Sequence, residues 1–113
     1  VTTWQALEVD GPVGTTPVAA RLAEDPSNEV VLVRTPDGTV HATAAGCPHL
    51  GQPLIHGHLD GDIIECGHHA YRYRLADGSC DGPGGPLAGR LVVHEVREHP
   101  DGFDVRLAEQ PEV

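Results

Sequence analysis

Short apolar runs alternate with turn-forming residues along nearly the whole chain. Residues 30–45, "VVLVRTPDGTVHATAA", show the unit: two runs rich in Val and Thr face each other across Pro36-Asp37-Gly38. β-Branched side chains fit a pleated backbone, and Asp-Gly accepts the positive φ of a tight hairpin turn. Asp-Gly recurs at residues 10, 37, 60, 77, 81 and 101. The runs between these turns predict strands at Trp4–Glu8, Pro17–Leu22, Glu29–Thr35, Thr39–Ala44, Ile63–Cys66, Tyr71–Leu75, Arg90–Arg97 and Phe103–Leu107. A second hairpin joins Leu91–Val96 to Phe103–Leu107 across "HPDG". No segment keeps a helical period over three turns; Ala19–Ala23 alone invites one, and Pro17 and Pro26 bound it.

Short strands at regular spacing point to an all-β domain, an antiparallel sandwich or barrel. The rhythm breaks at about residues 45–86, where Gly, Pro and His replace the apolar alternation. This stretch reads as a small loop-rich lobe set into a β framework, the two making one domain over residues 1–113. Large aromatics are scarce, so Trp4 and Phe103 are expected to plug the core. His41, His94 and His99 are expected on strand or turn surfaces, and Cys80 as a small apolar filler.

Composition narrows the picture. Fourteen glycines and 10 prolines in 113 residues suit a loop-rich β fold that needs a staple such as a metal site. Seventeen acidic residues against seven basic ones give a formal charge of −10. That balance opposes nucleic-acid binding and an anionic membrane surface, and suits a basic protein partner. No apolar run is long enough to span a bilayer, and the N-terminal stretch lacks the pattern of a signal peptide. Three cysteines cannot all pair, which suits a reducing cytoplasm.

The unusual chemistry lies in "AGCPHLGQPLIHGHLDGDIIECGHHAYRY", residues 45–73. It carries two matched units, Cys47-x-His49 and Cys66-x-x-His69, with 16 residues between them. That separation leaves room for a hairpin that folds one loop over the other. Gly46, Pro48, Gly51 and Gly67 permit tight turns, which can aim backbone N–H groups at a negatively charged core. Thiolate plus imidazole suits zinc, copper or an iron–sulfur centre. Zinc at two Cys and two His is chemically sound, although zinc loops more often pair like with like. In a binuclear iron–sulfur cluster each loop would give its Cys to one iron and its His to the other, a geometric reason for one of each per loop. His56 and His58, flanking Gly57, offer a second, weak metal site.

"CPHLG" and "CGHH" together resemble the Rieske pattern, C-x-H…C-x-x-H. The likeness extends to "VVLVRTPDGTVHATAAGCPHLGQPL" as a hairpin and first loop, to "DGDIIECGHHAYRYRLADGSC" as a second loop and hairpin, and to "GPGGPLAGRLVVHEVRE" as a proline-bearing loop and final strands. It covers most of the chain and is weakest over the first 28 residues. The resemblance implies a Rieske-like antiparallel β sandwich or barrel with a cluster-binding subdomain. It implies one [2Fe–2S] cluster held by Cys47, His49, Cys66 and His69, bordered by Leu50, Gly51, His68, Tyr73 and Pro83. The cysteines that form a disulfide in Rieske proteins of cytochrome bc complexes are replaced here by Gln52 and His68. Of two hydroxyl donors to the cluster in those relatives, the Ser position is Tyr71 and the Tyr position is Tyr73.

The implied activity is electron transfer rather than catalysis: a soluble ferredoxin carrying one electron from a flavin-dependent reductase to a terminal oxygenase, as in ring-hydroxylating dioxygenase systems. The exposed edges of His49 and His69 would be the electron exit. Loss of one hydroxyl donor and the acidic composition favour the lower part of the class range, roughly −150 to +300 mV. Two other roles compete: a Rieske-like small subunit fixed in a larger oxidoreductase such as nitrite reductase, and a zinc-stapled interaction module.

Overall fold

A computed structural model describes residues 3–48, 53–67, 71–81 and 89–108. Six strands close into an antiparallel barrel: β1 (Gln5–Val9), β2 (Val18–Leu22), β3 (Glu29–Arg34), β4 (Val40–Ala44), β8 (Val93–His99) and β9 (Gly102–Arg106). Between β4 and β8 lies a separate three-stranded sheet of β5 (His58–Asp60), β6 (Ile63–Glu65) and β7 (Arg72–Arg74), preceded by a 3-10 turn at Leu54–His56. The choice between sandwich and barrel is settled by β9 returning to β1, with Gln5 opposite Val105 and Ala6 opposite Asp104. Closure leaves the barrel no free edge. Residues 19–22 are strand, not helix, because Ala19 and Ala20 pair with Val31 and Val30 on β3.

The Pro36-Asp37-Gly38 hairpin forms as its chemistry requires. Gly38 has φ +92°. The Asp37 carboxylate accepts hydrogen bonds from the Thr39 N–H at 3.0 Å and the Thr35 hydroxyl at 2.5 Å. The turn sets the register of β3 on β4, from Arg34 opposite Val40 to Val30 opposite Ala44.

β3 is buried on both faces. Val30 and Leu32 join Ala20, Leu22, Ala42 and Val105 in the barrel core. Val31 and Val33 point the other way, into a second core with Leu54, Ile64, Tyr73, Leu75 and Leu91. One strand thus walls two apolar interiors, which explains why "VVLV" is a continuous apolar run rather than an alternating one. The small sheet presents Ile64 and Tyr73 to this second core and sets its opposite face outward, where Arg72 bonds Asp60 at 2.7 Å and approaches Glu65 at 3.5 Å.

Two side chains sit otherwise than the sequence suggested. Trp4 is not a core plug: it is partly exposed, with the Arg97 and Arg106 guanidinium groups 4.4 and 4.9 Å from its ring centroid. Stacked cations and a wide indole face stabilise each other without full burial. His94 is not a surface residue but only 9% exposed. It stands opposite Ala42, a barrel-core position, and its Nδ1 accepts the Ala108 N–H at 2.9 Å. Burial holds its pKa below the usual imidazole value. Phe103 does pack, partly buried, against the barrel core.

Among the described residues no helix is long and apolar enough to cross a membrane.

Candidate metal centre

Two loops from the inner segment carry Cys47 and Cys66, the expected sulfur ligands, and both are pinned at their bases. The first leaves β4 at Ala44. A bridge between Gly46 and Pro53 closes it, reinforced by the Leu54 N–H donating to the Ala45 carbonyl at 2.9 Å. The second follows β6 and is closed by the Cys66 N–H donating to the Tyr71 carbonyl at 2.7 Å. Cys47 and Cys66 therefore each sit at the foot of a short loop, where the framework fixes their backbone.

The 3-10 turn and the base of the second loop meet backbone to backbone, continuing the β5–β6 ladder beyond His58 and Glu65. A Cβ on Gly67 would lie 2.4 Å from the His56 carbonyl oxygen, and one on Gly57 would lie 2.5 Å from the Glu65 carbonyl oxygen. Neither distance is possible for a side chain without movement of main chain. Gly67 lies in a turn, as expected, and its missing side chain also permits this close approach. Gly57 was missed as a packing position, though a Gly between two His was a visible oddity. A third segment joins at Gly89, whose φ of +77° favours glycine and whose α-carbon faces Pro48 closely enough that a Cβ would be 3.2 Å from the Pro48 Cβ. Gly78 ties the β7 hairpin to that same segment. It has φ +78°, its carbonyl accepts the Leu91 N–H at 2.9 Å, and an added Cβ would fall 1.8 Å from the Leu91 oxygen.

Both sulfur-bearing side chains are buried, Cys47 to 2% exposure and Cys66 to 1%, in the same apolar core. Tyr73 is buried beside them, and its hydroxyl lies 3.8 Å from the Cys47 Sγ, within reach of a weak sulfur hydrogen bond. Burial, then the hydrogen bond to Cys47, push the Tyr73 phenol well above its ordinary pKa, so it stays protonated and able to donate. Cys80 pairs through its backbone with Tyr73 and packs, partly buried, against the same core.

Of the residues expected at the site, Cys47, Cys66 and Tyr73 come together in this core. His49, Leu50, Gly51, His68, His69 and Pro83 lie outside the described residues. Among the described residues no three His, Cys, Asp or Glu side chains gather into a further cation site, so His56 and His58 stand without a third ligand there.

The Rieske [2Fe-2S] domain model matches residues 4–95. The chain belongs to the Rieske family. The family's single [2Fe–2S] cluster is its cofactor. The described donors fit such a group: a thiolate buried in apolar surroundings is costly unless bound to a cation, and here two cysteines from two pinned loops share one dry core beside a hydroxyl donor. The fold is shared with a putative NADH-dependent nitrite reductase small subunit from Mycobacterium tuberculosis, at 23% identity and TM-score 0.74, over 97% of this chain and 99% of that one. It is shared also with the ferredoxin of carbazole 1,9a-dioxygenase from Nocardioides aromaticivorans IC177, at 21% identity and TM-score 0.70, over 96% and 98%. A curated relative, cholesterol 7-desaturase nvd of Xenopus laevis, is 42% identical over 53 residues, 46% of this chain. That match spans 12% of the desaturase's length.

Proposed function

We propose that this Rieske protein is a one-electron carrier, folded as one domain with a cluster-binding lobe at about residues 45–86, and that Cys47, His49, Cys66 and His69 hold its cluster. When bound, the cluster accepts and returns one electron. The carrying observation is the pair of buried cysteines at the feet of two pinned loops, with the Tyr73 hydroxyl directed at Cys47.

The chain's own groups act in definite ways. Cys47 and Cys66 supply anionic sulfur in a core closed to water by Leu54, Ile64 and Leu75. The Tyr73 O–H donates toward the Cys47 sulfur, which favours the more negatively charged, reduced state. Seventeen acidic residues against seven basic ones oppose added negative charge, pulling the potential toward the lower part of the class range. His49 and His69 replace two thiolates with neutral imidazoles, which makes reduction easier than in an all-cysteine site.

The physiological reading is transfer from a flavin-dependent reductase to a terminal oxygenase, in the cytoplasm. The ferredoxin of a dioxygenase, alike over nearly its whole length, supports it. A fixed small subunit of a larger oxidoreductase is the second reading, supported by the equally full overlap with the nitrite reductase small subunit. Purified protein should be red-brown, with stoichiometric iron and acid-labile sulfide. Cys47→Ser and His69→Ala should each abolish the colour. Turnover of a separate oxygenase through a flavin reductase supports the mobile carrier; tight co-purification with one large subunit supports the fixed one. A colourless protein that binds one zinc would overturn both.

A further inference from the structure

A cavity of about 540 Å³ opens where the β8–β9 ladder ends. The last pair in that ladder is Glu95 opposite Arg106. Two positions further on, the same register would set Val93 opposite Ala108. The Ala108 N–H turns instead to the His94 Nδ1. The two segments part there, and the turn at Ala76 and Asp77 lines the far side of a cavity that stays open to solvent. The volume is that of a small-molecule site. Its walls are largely apolar, with Leu91 and Val93 among them.

Two donors in the lining have no protein acceptor among the described residues. The first is His94. Its Nδ1 accepts, so the neutral ring carries its proton on Nε2; no described group receives that N–H, although the side chain is only 9% exposed. Burial keeps the ring neutral by lowering its pKa. A buried N–H without a partner is costly, which makes it an anchor for an incoming acceptor. The second is Arg90. Six of the seven arginines are ion-paired with a carboxylate; among the described residues Arg90 has none within salt-bridge distance.

The two carboxylates in the lining are engaged already. Asp77 accepts from the Ser79 N–H at 2.9 Å and the Ser79 hydroxyl at 2.7 Å, and Glu95 is paired with Arg106. The Arg90 charge also acts on Asp77. The buried valence left open in the cavity is the His94 Nε2 donor, and the ligand must bring an acceptor to it. The protein's formal charge of −10 disfavours a polyanion.

We propose that this cavity binds a small apolar molecule carrying one carboxylate. One carboxylate oxygen accepts the His94 Nε2–H, the Arg90 guanidinium meets the charge, and the hydrocarbon body lies against Val92 and Ala108. The site uses none of the four proposed cluster ligands, so it stands or falls apart from the redox reading.

The test is titration of the oxidised full-length holoprotein with benzoate, followed by calorimetry and by the His94 ring resonances in NMR, with benzamide as the uncharged probe. The expected result is saturable binding with a shift at the His94 Nε2–H, and benzamide weaker than benzoate. Arg90→Gln, at an exposed position, should weaken benzoate about tenfold, as for loss of one charge-assisted contact. Arg21→Gln, outside the cavity, should leave it unchanged. Non-saturable benzoate binding, shifts that spare His94, or equal weakening by Arg90→Gln and Arg21→Gln would each overturn the proposal.

Discussion

The barrel and the lobe between β4 and β8 share a strand but are held together differently. The barrel is built from strands of five to seven residues in continuous ladders, and its core is filled by alternating aliphatic side chains. The lobe has strands of three residues, and its shape depends on main chain touching main chain at Gly57, Gly67 and Gly78. The barrel's stability is spread over many exchangeable methyl groups. The lobe's is concentrated at a few positions that tolerate no side chain. A framework of the first kind can absorb sequence change, while a site of the second kind keeps its geometry or loses it.

The largest expected effect is therefore in the lobe. Gly78→Ala combines a left-handed φ with a clash against the Leu91 carbonyl. It should cost at least about 2 kcal/mol, a fall in Tm of roughly 10 °C, with early loss of the cluster's visible absorbance. Paired truncations on β3 sharpen the contrast. Leu32→Ala opens the barrel core and should cost about 2–5 kcal/mol, with colour and far-UV signal lost together on heating. Val31→Ala, one residue away on the other face, should cost about 2 kcal/mol, and its colour should bleach before the strand signal falls. Coincident loss in both variants would show that the two cores melt as one.

Tyr73→Phe tests the lobe's chemistry rather than its packing. Losing one hydrogen bond worth about 0.5–1.5 kcal/mol should lower the midpoint potential by roughly 20–60 mV, with little change in Tm. An unchanged potential would remove Tyr73 from the tuning of the centre.

Acid should act on the barrel first. His41 and His94 are held neutral by burial, below the ordinary imidazole value. Their contribution is complete above the unfolded value of about 6.5 and declines as pH falls below it, because the unfolded chain takes up protons that the folded chain refuses. Asp10, Glu98 and Asp104 are lowered mainly by hydrogen bonds, from Arg21, from Arg34 and from His99 with Arg97 respectively. Their contribution is present above the unfolded carboxylate range and fades as pH falls through it. A Tm profile should therefore start downward near pH 6.5 and steepen below about pH 4. His94→Gln should flatten the first limb. The smallest effect is expected from Arg34→Gln: its partner Glu98 is half exposed, and water screens the pair, so Tm should barely move.

The barrel hairpins were legible because turn and strand residues agreed: Asp37-Gly38 between two Val- and Thr-rich runs left little choice. β5 was not, since His58-Leu59-Asp60 carries no β-branched residue and pairs only because β6 lies beside it. The strand expected from Arg90 begins at Val93, because the Leu91 N–H is taken by Gly78. His94 was read as surface on polarity alone, although Val92, His94 and Val96 alternate on one face, which was the signal of its burial. At the centre, the spacing of Cys47 and Cys66 with their histidines was plain in the chain. The contact of Gly67 with His56 was not, because it depends on the β5–β6 register, and β5 itself carries no strand signal.

The double burial of β3 carries a further consequence. In most strands a one-residue slip turns apolar side chains out to water, and that penalty guards the alignment. Here a slip would trade Val30 and Leu32 for Val31 and Val33, and each interior would receive aliphatic groups of nearly the same kind. Hydrophobicity alone is almost blind to such a threading error. Fidelity then falls to the corner at Thr35, Asp37 and Gly38, so damage there should yield a mixture of misaligned conformers rather than one weakened native form.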